Sequence, residues 1–205
     1  MLLEIHPANP DERKIRKVVD CLNAGGVVVF PTDTVYAIGA SLMKPKAIEQ
    51  MAKIKGVRAE KANFSLICYD LSSLSEFATV DTPVFKVMKK ALPGPYTFIL
   101  NANNKISRYF GYTKRTVGIR VPDNNIIRTI VRDLGHPIIT TSVHDDDEIL
   151  DYTTDPSVIH ERYEKQVAIV IDGGYGHNEA STVIDCTEGY PQVIREGIGP
   201  TENLI

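Results

Sequence analysis

The sequence predicts an α/β fold: one domain over residues 1–205, built on a twisted, mixed parallel and antiparallel sheet with flanking helices. Three observations carry this. Short unbroken apolar runs rich in β-branched residues, such as Val27–Phe30, read as strands covered on both faces. Between them lie segments whose apolar residues recur at helical spacing. No Gly/Ser-rich linker and no internal repeat interrupts the alternation, so the elements belong together.

Residues 2–5 form a short edge strand in this reading. Asp11 caps a helix in which Ile15, Val18, Val19 and Leu22 keep a 3.6-residue period, and Gly25 closes it. The strand Val27–Phe30 follows and stops at Pro31, because proline cannot donate to a central ladder. Residues 46–55 give a second helix with Ala47, Ile48, Met51 and Ala52 inward, ended by Gly56. A basic polar loop carries Arg58, Lys61 and Asn63. Residues 65–68 are a buried strand. Asp70 caps a short helix through Leu74 and Phe77, and Thr82 caps the next, with Val84, Val87, Met88 and Leu92 inward. Pro93-Gly94-Pro95 is a rigid turn. Strands follow at 97–100 and 116–121. A helix starting at Asn124 or Asn125 carries Ile126, Ile127, Ile130, Val131 and Leu134 and ends at Gly135. Ile138–Ser142 is a strand. Asp155-Pro156 opens a helix to about Tyr163, with proline at its first position. A strand at 167–171, a turn at Gly173-Gly174, and a late β pair at Thr182–Asp185 and Gln192–Arg195 complete the chain.

Composition narrows the function. With 205 residues and 43% apolar content the chain has enough core to fold unaided. Its net charge is −3 and its pI about 6.0, so a nucleic-acid role needs a local basic patch. Cys21, Cys68 and Cys186 are far apart, odd in number and without metal spacing, which fits reduced thiols in a cytoplasmic protein. The opening MLLEIHPANPDERK lacks the apolar run of a signal peptide. No segment approaches the ~18 apolar residues of a membrane span.

Chemistry-bearing residues cluster where strands end. Thr32, Asp33, Thr34 and Tyr36 directly follow a buried strand, the place where ligands sit in open α/β sheets. They can orient a small polar ligand, with Asp33 taking a cation or an ammonium group. An Asx or Ser/Thr turn uses the same residues. Other strand ends carry Arg120, Thr140, Thr141 and Ser142, and Arg195, and a helix end carries Lys53, Lys55 and Arg58. If these converge, they suit a phosphate-bearing ligand, since Arg and Lys donate strongly to phosphate oxygens. Arg120 and Arg195 are then expected to matter more for binding than for folding. Singly, such residues are more often solvated or in surface ion pairs. There is no GxSxG motif and no P-loop. Cys68 reads as a core thiol. His6, His136, His160 and His177 lack metal or triad spacing, whereas His144 closely follows the strand-end Ser142. The run from Asp145 to Glu148 fits either a Mg²⁺ contact or a solvated acidic loop.

Ordered blocks add a resemblance over nearly the whole chain: GGVVVFPTDTVYAIG at 25–39, LPGPYTFIL at 92–100, VGIRVP at 117–122, PIITTS at 137–142, STVID at 181–185 and VIREGIG at 193–199. Together they resemble the YrdC/YciO-like family of threonylcarbamoyl-AMP synthases and their paralogues. NFSLICYDLS, PGPYTF and EKQVAIVIDGGYG are more similar to the stand-alone YciO-type branch. The resemblance implies a concave, positively lined cavity. It implies a reaction joining L-threonine, bicarbonate and ATP into threonylcarbamoyl-AMP with release of pyrophosphate, for the t6A modification of tRNA. Family members are also described as binding double-stranded RNA. By position, Thr34 matches the hydroxyl that contacts threonine, and Arg120 the group that pairs with its carboxylate. Tyr69 and Ser181 match substrate-side positions. Lys53, Lys55, Ser142 and His144 match the catalytic KxR and SxN elements. Lys55, Arg58, Thr116, Thr140 and Arg195 match nucleotide contacts, with Mg²⁺ arriving on ATP and no dedicated protein metal site.

Three departures stand out. KxR is Lys53-Ile54-Lys55, which keeps the charge and loses the bidentate fork. SxN is Ser142-Val143-His144. The histidine that usually ends the NPL-type strand falls at Cys68 or Tyr69. These leave open a changed acyl acceptor, a changed amino acid, or nucleotide binding without turnover.

Overall fold

A computed structural model describes residues 1–110, 113–143, 154–202 and 204. The strands are β1 (Leu2–Glu4), β2 (Val27–Phe30), β3 (Ala37–Ser41), β4 (Ser65–Ile67), β5 (Ala78–Thr79), β6 (Tyr96–Ala102), β7 (Thr116–Arg120), β8 (Ile138–Ser142), β9 (Ile169–Asp172), β10 (Thr182–Asp185) and β11 (Gln192–Arg195). The helices are α1 (Glu12–Asn23), α2 (Pro45–Ile54), α3 (Thr82–Ala91), α4 (Ser107–Phe110), α5 (Asn125–Leu134) and α6 (Pro156–Tyr163). These strands form one sheet in the order β1-β9-β2-β3-β8-β4-β7-β6-β10-β11, with β5 pairing to β6 beside that path. The sheet is mixed, as the sequence predicts. Parallel pairs β1–β9, β2–β9, β4–β7 and β6–β10 alternate with antiparallel ones such as β2–β3, β3–β8 and β6–β7.

Successive strand residues point to opposite faces, and the two faces differ. On one, Val29, Ile38, Leu66, Phe98, Ile119, Ile139 and Ile184 pack with Ile48 and Met51 of α2, Val84 and Met88 of α3, and Ile159 and Tyr163 of α6. On the other, Val28, Phe30, Ile138, Ile169 and Ile171 lie under Ile15, Val18 and Leu22 of α1 and Ile126, Ile127 and Ile130 of α5. That second face then runs on through β4, β7, β6 and β10 as the floor of a cavity.

Local signals place the covering helices. Asp11 accepts from the backbone N–H groups of Arg13 and Lys14, and Asn124 from those of Ile126 and Ile127. Asp155 caps α6 the same way through Ser157. Gly135, at φ +77°, ends α5 in the left-handed region.

The structure also corrects the element reading. β3, β5 and α4 were not expected. The helix after Asp70 is only a 3₁₀ turn, Leu74–Glu76, because the Asp70 carboxylate instead closes a turn onto the N–H of Ser72. Asp81, not Thr82, stands at the N-cap of α3. The strand expected at 167–171 begins later, at Ile169. His144 and the run from Asp145 to Glu148 lie outside the described residues.

Candidate functional site

The cavity encloses about 600 Å³. The sequence reading expected a crevice where strand ends meet. Instead the cavity is laid across one sheet face, and period 2 builds its floor. Thr116, Gly118 and Arg120 come from β7, Thr140 and Ser142 from β8, Thr97 and Ile99 from β6, Ser65 from β4 and Val183 from β10. Gly118 is required by close approach: a Cβ there would sit 2.4 Å from Ser65 Oγ and 3.2 Å from Thr97 Cγ2. The segment after α2 supplies one wall through Lys55, Val57, Lys61 and Phe64, and β11 supplies another through Ile194 and Arg195.

Charge is strongly segregated here. Lys55, Lys61, Lys114, Arg120 and Arg195 line the cavity, and no carboxylate is among its described lining residues. In a chain of net charge −3, that concentrates positive potential in one concave site and favours anions.

Arg120 is the most buried of these cations, 7% exposed. Its Nη2 donates to Asp33 Oδ1 at 3.2 Å and to Thr34 Oγ1 at 3.0 Å. Asp33 Oδ2 accepts from the Asp123 N–H at 2.9 Å. Thr32 Oγ1 donates to the Val35 carbonyl at 2.8 Å and accepts from the Thr34 N–H at 3.0 Å. The polar run after β2 is therefore a Ser/Thr turn whose purpose is to seat Arg120. Asp33 is committed to Arg120 and the Asp123 amide, so the expectation that it takes an ammonium group gives way to that pairing. The expectation that Arg120 carries little stability is also corrected, because its guanidinium is buried and ion-paired rather than wet.

Burial lowers the pKa of Arg120, Asp33 raises it, and the like charge of Arg195 lowers it again. Arg120 Nε is buried and has no hydrogen-bond partner among the described residues. An anion between Arg120 and Arg195 would relieve the repulsion between the two guanidiniums. Arg195 Nη2 donates to the Ser181 carbonyl at 2.8 Å, and Ser181 Oγ lies 2.8 Å from Thr97 Oγ1. Thr140 Oγ1 donates to the Ile38 carbonyl at 3.0 Å.

Of the residues singled out from sequence, Lys55, Thr116, Arg120, Thr140, Ser142, Ser181 and Arg195 come together in the cavity. Thr34 is 0% exposed, behind Arg120. Lys53 and Arg58 are exposed and outside the lining. Tyr69 stands apart, its ring 5.2 Å from the Arg128 guanidinium carbon, beside a second pocket of about 190 Å³ that Cys68 and Asp70 also line. Sequence reasoning missed Thr97, Gly118, Lys61 and Lys114. The polar, apolar alternation in YTFIL and TVGIR is the signal that identifies the first two. Burial pushes the thiols of Cys68 and Cys186 up to about 12, which keeps them protonated and poor nucleophiles. Among the described residues no group of three His, Cys, Asp or Glu side chains is placed to hold a metal ion. No helix among them is long and apolar enough to cross a membrane.

Comparison with known proteins gives a consistent picture. The family described as Telomere recombination, the Sua5, YciO and YrdC group, matches residues 20–197. The chain is 41% identical to the uncharacterized protein YciO of Escherichia coli K12, over 98% of this chain and 97% of that one. It is 32% identical to a putative threonylcarbamoyl-AMP synthase of Methanocaldococcus jannaschii, over 99% of this chain and 96% of that one. Superposition on the crystal structure of E. coli YciO gives a TM-score of 0.90 at 39% identity, covering 100% of this chain and 99% of that one. The crystal structure of Pyrococcus abyssi Sua5 complexed with L-threonine gives 0.84 at 26% identity, covering 96% of this chain and 57% of that one.

Proposed function

Because the chain belongs to the Sua5/YciO/YrdC family, we propose that its cavity binds ATP, L-threonine and bicarbonate and forms threonylcarbamoyl-AMP with release of pyrophosphate. The observation that carries this reading is the set of cations over a hydroxyl-lined floor with no carboxylate among the described lining. The 32% identity to a putative threonylcarbamoyl-AMP synthase and the likeness to a Sua5 bound to L-threonine support it.

In this reading the threonine amine adds to bicarbonate, losing water to give a carbamate. A carbamate oxygen then attacks the α-phosphorus of ATP, and pyrophosphate leaves. Such chemistry needs reactants held together, phosphate charge neutralised and water excluded. Arg120 receives the amino-acid carboxylate. Lys55 faces the β- and γ-phosphates, Arg195, Thr140 and Thr116 hold the nucleotide, and Ser142 and Ser181 face the carbamate. Mg²⁺ enters on the ATP phosphates, since the described lining offers no carboxylate to retain it. The product would serve t6A modification of tRNA.

A second reading, binding of nucleotide or double-stranded RNA without turnover, draws on Thr34. Its hydroxyl is fully buried and already engaged by Arg120.

The deciding experiment is pyrophosphate release by the purified protein with ATP, bicarbonate and L-threonine, beside a Lys55→Arg, His144→Asn double variant. Turnover in the unmodified protein is the expected result. Activity only in the double variant would locate the divergence at those two positions. Silence in both, with saturable ATP binding, would replace the synthase reading with the binding one. For RNA, log affinity should fall by about 0.7–0.9 per neutralised phosphate per decade of salt.

A further inference from the structure

We propose that Lys114 is a positioning residue, tying the lysine-bearing segment 55–64, one wall of the cavity, to an anchor at the start of β7. Its effect on ligand rests on the phosphate-binding reading above. Its effect on the segment does not.

Lys114 is fixed at its base. The next residue, Arg115, accepts a backbone hydrogen bond from Ala102 at 2.9 Å, and Thr116 pairs with Asn101 in the β6–β7 ladder. From there its Nζ reaches across 52 residues of sequence to donate to the Ala62 carbonyl at 2.8 Å. The ammonium also sits 5.7 Å from the centroid of the Phe110 ring. Lys114 is half-buried, whereas Thr113 and Arg115 on either side are exposed. Burial lowers its pKa, in keeping with an ammonium drawn out of water by this contact.

Within the segment run short-range bonds, Val57 N–H to Ala52 at 3.0 Å, Lys61 N–H to Arg58 at 2.9 Å and Ala62 N–H to Ala59 at 3.2 Å, and its far end is seated by Ala62 and Phe64 in the core. The short-range bonds shape the turn, the burial of Ala62 and Phe64 seats its end, and Lys114 adds a polar tie from β7 at that same end. Lys55 and Lys61 on this segment face three further cations in the same cavity, Lys114 among them. Like charges at close quarters push the segment outward, and a charge-assisted bond to its backbone opposes that. Lys114 thus acts on ligand through Lys55 and Lys61, by setting where their ammonium groups stand.

The segment contains its own reporters, because trypsin cleaves after Lys55, Arg58 and Lys61. In ligand-free protein, Lys114→Met should raise cleavage at those bonds about tenfold, and Lys114→Arg, which restores a charged donor, should hold it within about twofold of the unmodified rate. Cleavage after Lys165, in an exposed turn, should not change. The apparent Kd for ATP should rise about tenfold in the Met variant and recover in the Arg variant. Unchanged cleavage in the Met variant, cleavage raised equally at Lys165, or failure of Arg to rescue would each overturn the proposal.

A second measurement uses the unmodified protein alone. ATP should protect the three bonds and leave Lys165 as it was, and equal protection at all four sites would also overturn the proposal. If ATP fails to bind the unmodified protein, the proposed function falls, while the ligand-free contrast still decides the role of Lys114.

Discussion

One face of the sheet does two different jobs, and β8 passes from one to the other within five residues. At its start Ile138 is sealed beneath α1 and α5 with Val28, Phe30 and Ile171. Two and four residues later, on the same face, Thr140 and Ser142 look into the cavity. β8 runs antiparallel to β3 along its whole length and to β4 over Ile138–Thr140, so Ile138 and Thr140 are paired alike on both sides. What differs is the cover. Where an amphipathic helix lies over the sheet, inward positions are large and apolar, because each buried side chain contributes roughly 1.5–3 kcal/mol. Where no helix lies over it, most of the same positions become hydroxyls, a glycine and an arginine, with Ile99 and Val183 among them. A binding surface here is a stretch of core face left uncovered.

The largest expected effect comes from the residue that belongs to both regions. Arg120 is buried like core and polar like cavity. Arg120→Ala leaves the Asp33 carboxylate buried without its cation, which should cost about 3–5 kcal/mol. At about 2–4 °C per kcal/mol for a chain of this size, the midpoint should fall by roughly 10 °C, with L-threonine affinity lost as well. An Asp33→Asn, Arg120→Met double variant should recover most of the stability and none of the binding. Recovery of both would mean that Arg120 is structural only.

Next comes the covered half alone. Ile130 on α5 is 0% exposed within the sealed cluster. Ile130→Ala should cost about 2–5 kcal/mol in thermal or urea unfolding, yet leave ATP affinity in the still-folded protein within about twofold. A large affinity change with intact stability would erase the division between the two regions.

Much of this division was legible in the sequence. The apolar run of β2, the cap Asp11, the asparagine pair 124–125 that opens α5, and the period of α5 each rest on local chemistry that reads directly. β3 escaped notice because Ala37-Ile38-Gly39-Ala40-Ser41 is poor in strand-forming residues. Its small side chains are demanded by tertiary packing: a Cβ on Gly39 would lie 2.6 Å from the Phe30 ring and 2.7 Å from Ile138. The cavity residues on strands were legible as polar punctuation, though as strand ends rather than as alternate positions on one face. Lys114 was not legible, because its partner is a backbone carbonyl 52 residues away, and no local pattern records that. Thr34 and Tyr69 fit a family pattern by position, but the fold puts one behind Arg120 and the other at a separate pocket.

Arg195 sharpens the comparison from the open side. It is exposed, on the edge strand β11, and its Nη2 donates to the Ser181 carbonyl. An exposed cation contributes about 0–1 kcal/mol to stability, whereas a charge-assisted bond to phosphate is stronger. Arg195→Ala should therefore weaken ATP binding about tenfold or more by calorimetry and move the melting midpoint by no more than about 2–4 °C. It is the inverse of Ile130→Ala, and the two together test whether binding and folding separate along the line where the helices stop.

The smallest effect tests that line at its sharpest point, the hydroxyl of Thr140. Thr140 lines the cavity, but its Oγ1 proton is already spent on the Ile38 carbonyl across the β3–β8 pair. A hydroxyl has one donor and two acceptor lone pairs, so Thr140 can still accept from a ligand N–H or O–H but cannot donate to a phosphate. Thr140→Val keeps the shape and removes the bond, at about 0.5–1.5 kcal/mol of stability. The Ile38 carbonyl also takes part in the ladder, which limits the loss. Affinity for inorganic pyrophosphate, which has only acceptor oxygens once ionised, should be unchanged, while affinity for ATP, which also carries amino and hydroxyl donors, should fall modestly. A loss shared equally by pyrophosphate and ATP would mean that the Thr140 hydroxyl turns to the ligand when anion enters, and that the border between structural and binding groups on this face moves with occupancy.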